Sequence, residues 1–255
     1  MNKEKIKVVL LAGGKGTRIR EETEITPKPM IKVGKIPVIE HIMNRYIDFG
    51  LNNFLICSGY KSEVINNYFA NYSTTKDFSI NTDNNEITPL NKLPSFNLEV
   101  IFTGNETETG GRIFKIKDRI EEDTFIVSYG DCLANVDLDK LINFHKKKNK
   151  IATITVTRLH SRFGFVELDK DSLVSSFREK EKEKQLYSIG FMVFNKKIFD
   201  YLDENVILEK EPFSNLVKDE ELVAYEHEGF FEPMDTYREY LKLNSLWDSG
   251  NAPWE

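Results

Sequence analysis

The chain has 255 residues, 40% of them hydrophobic and 12% aromatic, and a formal net charge of −6. That length allows a full apolar core, and the mixing of acids with bases lacks the concentrated basic stripe of a nucleic-acid binder. The first apolar run is too short for a signal peptide or a membrane span, and two cysteines without metal-like spacing, Cys57 and Cys132, suit a reducing compartment, so a cytoplasmic protein is expected.

Ile6 to Leu11 predicts a buried first strand, which runs into a loop with glycines at 13, 14 and 16. Val38–Phe49 has helical spacing, with Ile39, Ile42, Met43, Tyr46 and Phe49 on one face. Phe54–Cys57 reads as the next strand and Lys61–Tyr72 as a helix. The polar stretch Ser73–Pro94 is the least core-like segment: a mobile flap, or an excursion packed against another subunit. Leu98–Phe102 and Phe125–Tyr129 are further strands, with a helix from Gly111 to about Arg119 between them. A helix starting near Asp137 and Asp139 ends in the solvated triplet Lys146-Lys147-Lys148, and strand Ile151–Thr157 follows. This alternation implies βαβ units and a mostly parallel sheet.

The second half changes character. Phe163–Leu168, Leu173–Phe177 and Tyr187–Phe194 are strands with short connections, which favours antiparallel pairing. Phe213–Lys218 reads as a short helix, Leu222–His227 as a strand and Thr236–Ser249 as a closing helix. The expected fold is α/β: a Rossmann-like, three-layer domain with a mixed, mostly parallel central sheet and a small antiparallel subregion.

Such sheets bind ligands outside the carboxyl ends of their strands. The Gly13-Gly14-Lys15-Gly16 loop lies at one such end and Asp131 just past another. Glycines let the backbone approach a ligand closely and present N–H groups. Arg18 and Lys28 add positive charge, so the site suits a polyanion, most simply a nucleoside triphosphate. A Walker-type loop is excluded by spacing, and the dinucleotide fingerprint by Ile19 at its third small position.

The blocks LAGGKGTRIREET, PKPMIKVG, Thr109-Gly110-Gly111-Arg112, Tyr129-Gly130-Asp131, Arg162-Phe163-Gly164, Phe177-Arg178-Glu179-Lys180, Pro233-Met234-Asp235-Thr236 and Ala252-Pro253-Trp254 occur in this order along the chain. Together they resemble the sugar-1-phosphate nucleotidyltransferase family, most closely its glucose-1-phosphate cytidylyltransferase branch. The resemblance implies transfer of CMP from CTP to a phosphorylated sugar, with Mg²⁺ as cofactor and a homo-oligomer as the assembly. It implies a nucleotide site of Leu11, Ala12, Gly13, Gly14, Lys15, Gly16, Thr17, Thr109, Arg112 and Gly130. Arg18, Lys28 and Asp131 would be catalytic, Asp131 and Asp235 would hold the metal, and Gly164, Glu179, Lys180 and Gly190 would bind the acceptor. Residues 1–135 would then mainly bind nucleotide, and 136–255 mainly the acceptor.

Nucleotidyl transfer brings two anions together, so charge neutralisation and in-line positioning dominate. Mg²⁺ prefers one or two protein carboxylates and completes its shell from phosphates and water. Asp235 could instead be a helix N-cap, which aspartate performs well. Lys28, between two prolines, is expected on an extended, rigid segment. Three departures from the family pattern, Glu181 in place of proline, Ser188-Ile189-Gly190 in place of an Asn-Gly pair and Cys132 in place of glycine, lie toward the acceptor side. They leave room for a small polyol phosphate, such as a glycerol phosphate, as acceptor. A UTP- or dTTP-using enzyme and a non-catalytic nucleotide-binding protein are rival readings of the same residues.

Overall fold

The structure is a computed structural model and describes residues 3–16, 26–161, 163–179 and 183–255. Seven strands form the main sheet: β1 (Lys7–Ala12), β2 (Asn53–Ser58), β3 (Asn97–Phe102), β4 (Thr124–Tyr129), β5 (Ala152–Thr157), β6 (Tyr187–Asn195) and β7 (Leu222–Glu226). Their order is β7-β5-β6-β4-β1-β2-β3. Only β6 runs against its neighbours, β4 and β5; the other pairs are parallel. The sheet is therefore mixed and mostly parallel, with strands from both halves of the chain.

Both faces of the sheet are covered, which explains why β1 and β4 read as continuous apolar runs rather than alternating ones. Val8 and Leu10 enter one core, with helices α1 (Val38–Asp48), α4 (Leu138–Lys148) and α6 (Tyr237–Asp248). Val9 and Leu11 enter the other, with α3 (Thr109–Lys115) and α5 (Glu211–Lys218). The period-two alternation of β1 thus divides the molecule into three layers. Helix α2 (Ser62–Ala70) follows β2 and buries Ile65.

Register aligns the strand ends that matter. Ala12 stands opposite Ser58, Ser58 opposite Phe102, and Leu11 opposite Tyr129. The loops that leave these residues emerge along one rim.

Three local features differ from expectation. The helix expected from Gly111 starts at Thr109 and stops at Lys115, followed by a separate 3₁₀ turn at Lys117–Arg119. The segment 73–94 contains a two-stranded hairpin, Phe78–Asn81 against Glu86–Pro89, whose strands are exposed on both faces and so carry no alternating signal. Tyr187–Asn195 leaves the ribbon formed by Phe165–Leu168 and Val174–Arg178 and joins the main sheet. Among the described residues, no helix is long and apolar enough to cross a membrane.

His145, on α4, is buried and has Thr153 Oγ1 at 2.8 Å from Nδ1. Burial depresses its pKa from 6.5 to about 4. Between those values the unfolded chain binds a proton that the folded one refuses, so stability falls as pH drops from 6.5 toward 4. The difference corresponds to on the order of 3 kcal/mol. Thermal unfolding scans should show this loss in wild type and a shallower slope in His145→Gln.

Candidate active site

The rim of aligned strand ends encloses a cavity of about 380 Å³. It is lined by Leu11, Ala12, Gly13, Gly14 and Gly16 from the first loop, Lys28 and Pro29, the segment Thr107–Thr109, Arg112, Tyr129, Asp131 and Asp235. Ten residues anticipated from the sequence therefore meet in one place, although Asp235 is more than 200 positions from the glycine loop.

Lys28 is the centre of this constellation. It is only 8% exposed, and its ammonium lies 2.5 Å from Asp131 Oδ2 and is also paired with Asp235 Oδ1. Burial alone would lower its pKa, but the Asp131 and Asp235 carboxylates outweigh burial and hold it above the ordinary lysine value of 10.5. The backbone here is not extended as expected. Pro27 is extended, but Lys28–Met30 form a 3₁₀ turn closed by Met30 N–H donating to Pro27 O at 2.8 Å. Met30, Ile31 and Val33 are buried in the core directly after it, so the turn is anchored and delivers the lysine side chain inward.

Asp235 is not the cap of α6. Thr236 is, with its side chain accepting from Glu239 N–H while Glu239 Oε2 accepts from the N–H groups of both Asp235 and Thr236 at 2.9 Å. This capping box satisfies the helix start, so the Asp235 carboxylate can turn to Lys28. Asp137 caps α4 instead. Among the described residues no group of three or more His, Cys, Asp and Glu side chains gathers to hold a metal. Asp131 and Asp235 nonetheless converge on a single cationic nitrogen, and two carboxylates are what a hard divalent ion asks of a protein when phosphates complete its shell. The pair fits Mg²⁺ on donor chemistry.

Arg112 is buried and fully engaged. Its Nη2 donates to Gly13 O at 2.9 Å, and its Nη1 to Thr103 Oγ1 at 2.7 Å, Gly104 O at 2.8 Å and Ser58 O at 3.1 Å. One side chain thus ties together the chain beyond β1, β2 and β3. The Gly13 carbonyl also accepts from Tyr60 N–H at 3.2 Å, so it is already doubly bonded. A Cβ on Gly13 would sit 2.0 Å from Arg112 Nη1. Because four acceptors pin that guanidinium, Gly13→Ala should cost about 1–3 kcal/mol and displace the loop. Thermal unfolding and nucleotide titration of the variant would check both effects.

The remaining predicted residues are more scattered. Lys15 is exposed and paired with Glu106 at 2.6 Å. Gly130 donates its N–H to Leu11 O at 3.0 Å and lies tight under that carbonyl and Pro29, so it binds the loop from below rather than lining the cavity. Gly190 has φ +78, and a Cβ there would meet the Tyr129 ring at 2.0 Å; it reaches the cavity only through Tyr129. Gly164 packs against Phe177 on the exposed ribbon, and Glu179 follows the same ribbon; neither lines the cavity. Thr17, Arg18 and Lys180 lie outside the described residues. Cys57 is a buried core residue, and Cys132 Sγ lies 3.3 Å from Asp131 Oδ1, with burial first and the Asp131 charge second pushing its pKa well up.

Sequence reasoning missed Tyr129, Thr107, Glu108 and Glu209. Tyr129 donates its hydroxyl to Glu209 Oε1, and Thr109 Oγ1 donates to Glu209 Oε2 at 2.8 Å. Burial, then the Glu209 charge, raises the Tyr129 pKa, so the phenol is a donor at any ordinary pH.

The nucleotidyl transferase family model matches residues 7–230. The glucose-1-phosphate cytidylyltransferase of Salmonella typhimurium is 39% identical over 255 residues, covering 98% of this chain and 99% of that protein. A Bacillus subtilis protein described as a probable glucose-1-phosphate cytidylyltransferase is 38% identical over 98% of this chain and 99% of its own. Among solved structures, UDP-glucose pyrophosphorylase in complex with UDP-glucose superposes with a TM-score of 0.70 at 16% identity, over 96% of this chain and 99% of that one. HddC from Yersinia pseudotuberculosis gives 0.67 at 24% identity, over 95% and 99%. These two show the fold alone. With a glycine loop, a caged lysine and two carboxylates in one cavity, and full-length relatives at this level of identity, the chain belongs to the nucleotidyl transferase family.

Proposed function

We propose that the protein transfers CMP from CTP to glucose 1-phosphate, giving CDP-glucose and pyrophosphate. The observation that carries this reading is Lys28 held between Asp131 and Asp235 at the mouth of the glycine loop; the full-length cytidylyltransferase relatives support the choice of substrates. The loop from Leu11 to Thr17, with Thr109, Arg112 and Gly130, binds or shapes the nucleotide site. Lys28 neutralises charge where the two phosphates meet. Arg18 holds the β- and γ-phosphates and stabilises departing pyrophosphate. Asp131 and Asp235 hold Mg²⁺, which supplies neutralisation of the triphosphate when bound. Gly164, Glu179, Lys180 and Gly190 serve the acceptor, so residues 1–135 mainly carry the nucleotide and 136–255 the acceptor. A phosphate monoester is already ionised near neutral pH, so the reaction asks no general base of these residues.

Phe78, Ile80, Ile87 and Leu90 on the hairpin are exposed apolar groups, which supports a homo-oligomer. Two buried cysteines outside any disulfide support a reducing, cytoplasmic setting. The test is pyrophosphate release with Mg²⁺ and each of CTP, UTP and dTTP against glucose 1-phosphate and small polyol phosphates. Release with CTP and glucose 1-phosphate is expected. Release only with a polyol phosphate would reassign the acceptor, release with UTP or dTTP would reassign the donor, and binding without release would make the protein a nucleotide sensor.

A further inference from the structure

The segment between β6 and α5 offers no periodic pattern, yet it touches the cavity wall. It lies directly on the first turn of α3. Gly111 N–H donates to Val206 O at 3.1 Å, and Leu208 N–H donates to Thr109 Oγ1 at 3.0 Å. A Cβ on Gly111 would stand 2.3 Å from Glu204 O, and one on Gly110 would stand 2.8 Å from Val206. The glycine pair of the Thr-Gly-Gly-Arg block is therefore a landing face for residues 204–208, because only glycine permits this backbone approach.

What the docked segment delivers is Glu209. Thr109 Oγ1 already accepts from Leu208 N–H, so its own hydrogen is directed elsewhere, and it goes to Glu209 Oε2 at 2.8 Å. The other carboxylate oxygen accepts the Tyr129 hydroxyl. An ionised carboxylate is a pure acceptor with two oxygens, and here each oxygen takes one hydroxyl. Both donors line the cavity. Thr109 belongs to α3, as does Arg112; the Tyr129 ring lies against Gly190, a residue expected to serve the acceptor.

We propose that Glu209 is a positioning residue of the transfer reaction: its carboxylate ties Thr109 on the nucleotide wall to Tyr129 on the acceptor wall and so sets the span between the two substrates. This rests on the reading of the cavity as the site of nucleotidyl transfer. Glu209 acts through Thr109 and Tyr129 rather than on a reacting atom, and that gives it a signature. Each neighbour should affect one substrate and Glu209 should affect both.

The experiment measures the Kd for CTP by calorimetry and the KM for glucose 1-phosphate in wild type and the variants. Thr109→Val is expected to raise only the CTP Kd, and Tyr129→Phe only the acceptor KM, each about five- to tenfold for one hydrogen bond. Glu209→Ala should raise both, and Tyr129→Phe added to Glu209→Ala should bring no further rise in acceptor KM. Glu209→Gln keeps one acceptor oxygen and should recover part of the effect, with a thermal midpoint close to wild type throughout. Wild-type values of both constants in Glu209→Ala would overturn the proposal, as would changes that follow the thermal midpoint alone. Should glucose 1-phosphate not turn over, the shared CTP effect of Thr109→Val and Glu209→Ala decides. No CTP binding by the wild-type protein would instead overturn the reading of the cavity itself.

Discussion

Asp131→Asn is expected to abolish measurable turnover, by on the order of 10³-fold or more, because in the proposed site it turns a charged metal ligand into a neutral one, and such a metal supplies several kcal/mol of charge stabilisation. The residue occupies its place for reasons that the substitution leaves untouched. It follows β4, whose Phe125, Ile126 and Val127 are fully buried, and Asp131 O accepts from Met234 N–H at 2.9 Å, which brings the Asp235 segment alongside. Backbone therefore holds the position and the side chain holds the charge. Asparagine keeps the shape and one acceptor oxygen, so the thermal midpoint should move by only a few degrees while pyrophosphate release disappears. Wild-type release in this variant would remove the two-carboxylate site.

Lys28→Ala should lower kcat by about a hundredfold or more, since one preorganised charge at the reacting centre is worth a few kcal/mol. Its structural effect should also exceed that of Asp131→Asn. Removing the cation that Asp131 and Asp235 share leaves two carboxylates facing each other across the gap, and breaking a buried pair by deleting one partner is costly. A rise in KM alone, with kcat unchanged, would mean that Lys28 only binds substrate. The pH dependence is fixed in sign. The folded-state pKa of Lys28 is raised above 10.5, so the stability that it contributes is fully present below 10.5 and is lost only as pH rises through the folded value. Thermal unfolding of the metal-free protein from pH 6 to 9 should therefore show no step from this lysine.

Much of the site was legible because it depends on strand ends. A buried apolar run followed by glycines fixes where β1 stops, and another run fixes where β4 stops; parallel pairing of the two then brings Gly13 and Asp131 to one rim. Asp235 was ambiguous, because an aspartate just before a helix serves equally well as a cap, and only the Thr236–Glu239 capping box resolves it. Arg112 was anticipated as a nucleotide contact; its bonds run to the carbonyls of Gly13, Ser58 and Gly104 and to a threonine hydroxyl, a role that no local pattern encodes. Glu209 was invisible for the same reason. It lies 80 positions from Tyr129 and 100 from Thr109, in a stretch without helical or strand period. The hairpin at 78–89 went unread because strands exposed on both faces have no apolar side to alternate.

The cage around Lys28 also bears on how the protein is handled. In many small metalloproteins the ion is part of the folding reaction, and a chelator unfolds the chain. Here the carboxylates that would repel each other in a metal-free chain already share an internal ammonium. If Asp131 and Asp235 hold the metal as proposed, Lys28 already offsets their mutual repulsion, and folding is expected not to depend on metal loading. Excess EDTA should leave the melting curve where it was while stopping pyrophosphate release, and the full rate should return when Mg²⁺ is restored, without any refolding step. A midpoint that falls by roughly ten degrees on chelation, well over 1 kcal/mol for a chain of this size, would show that the lysine does not carry that charge alone.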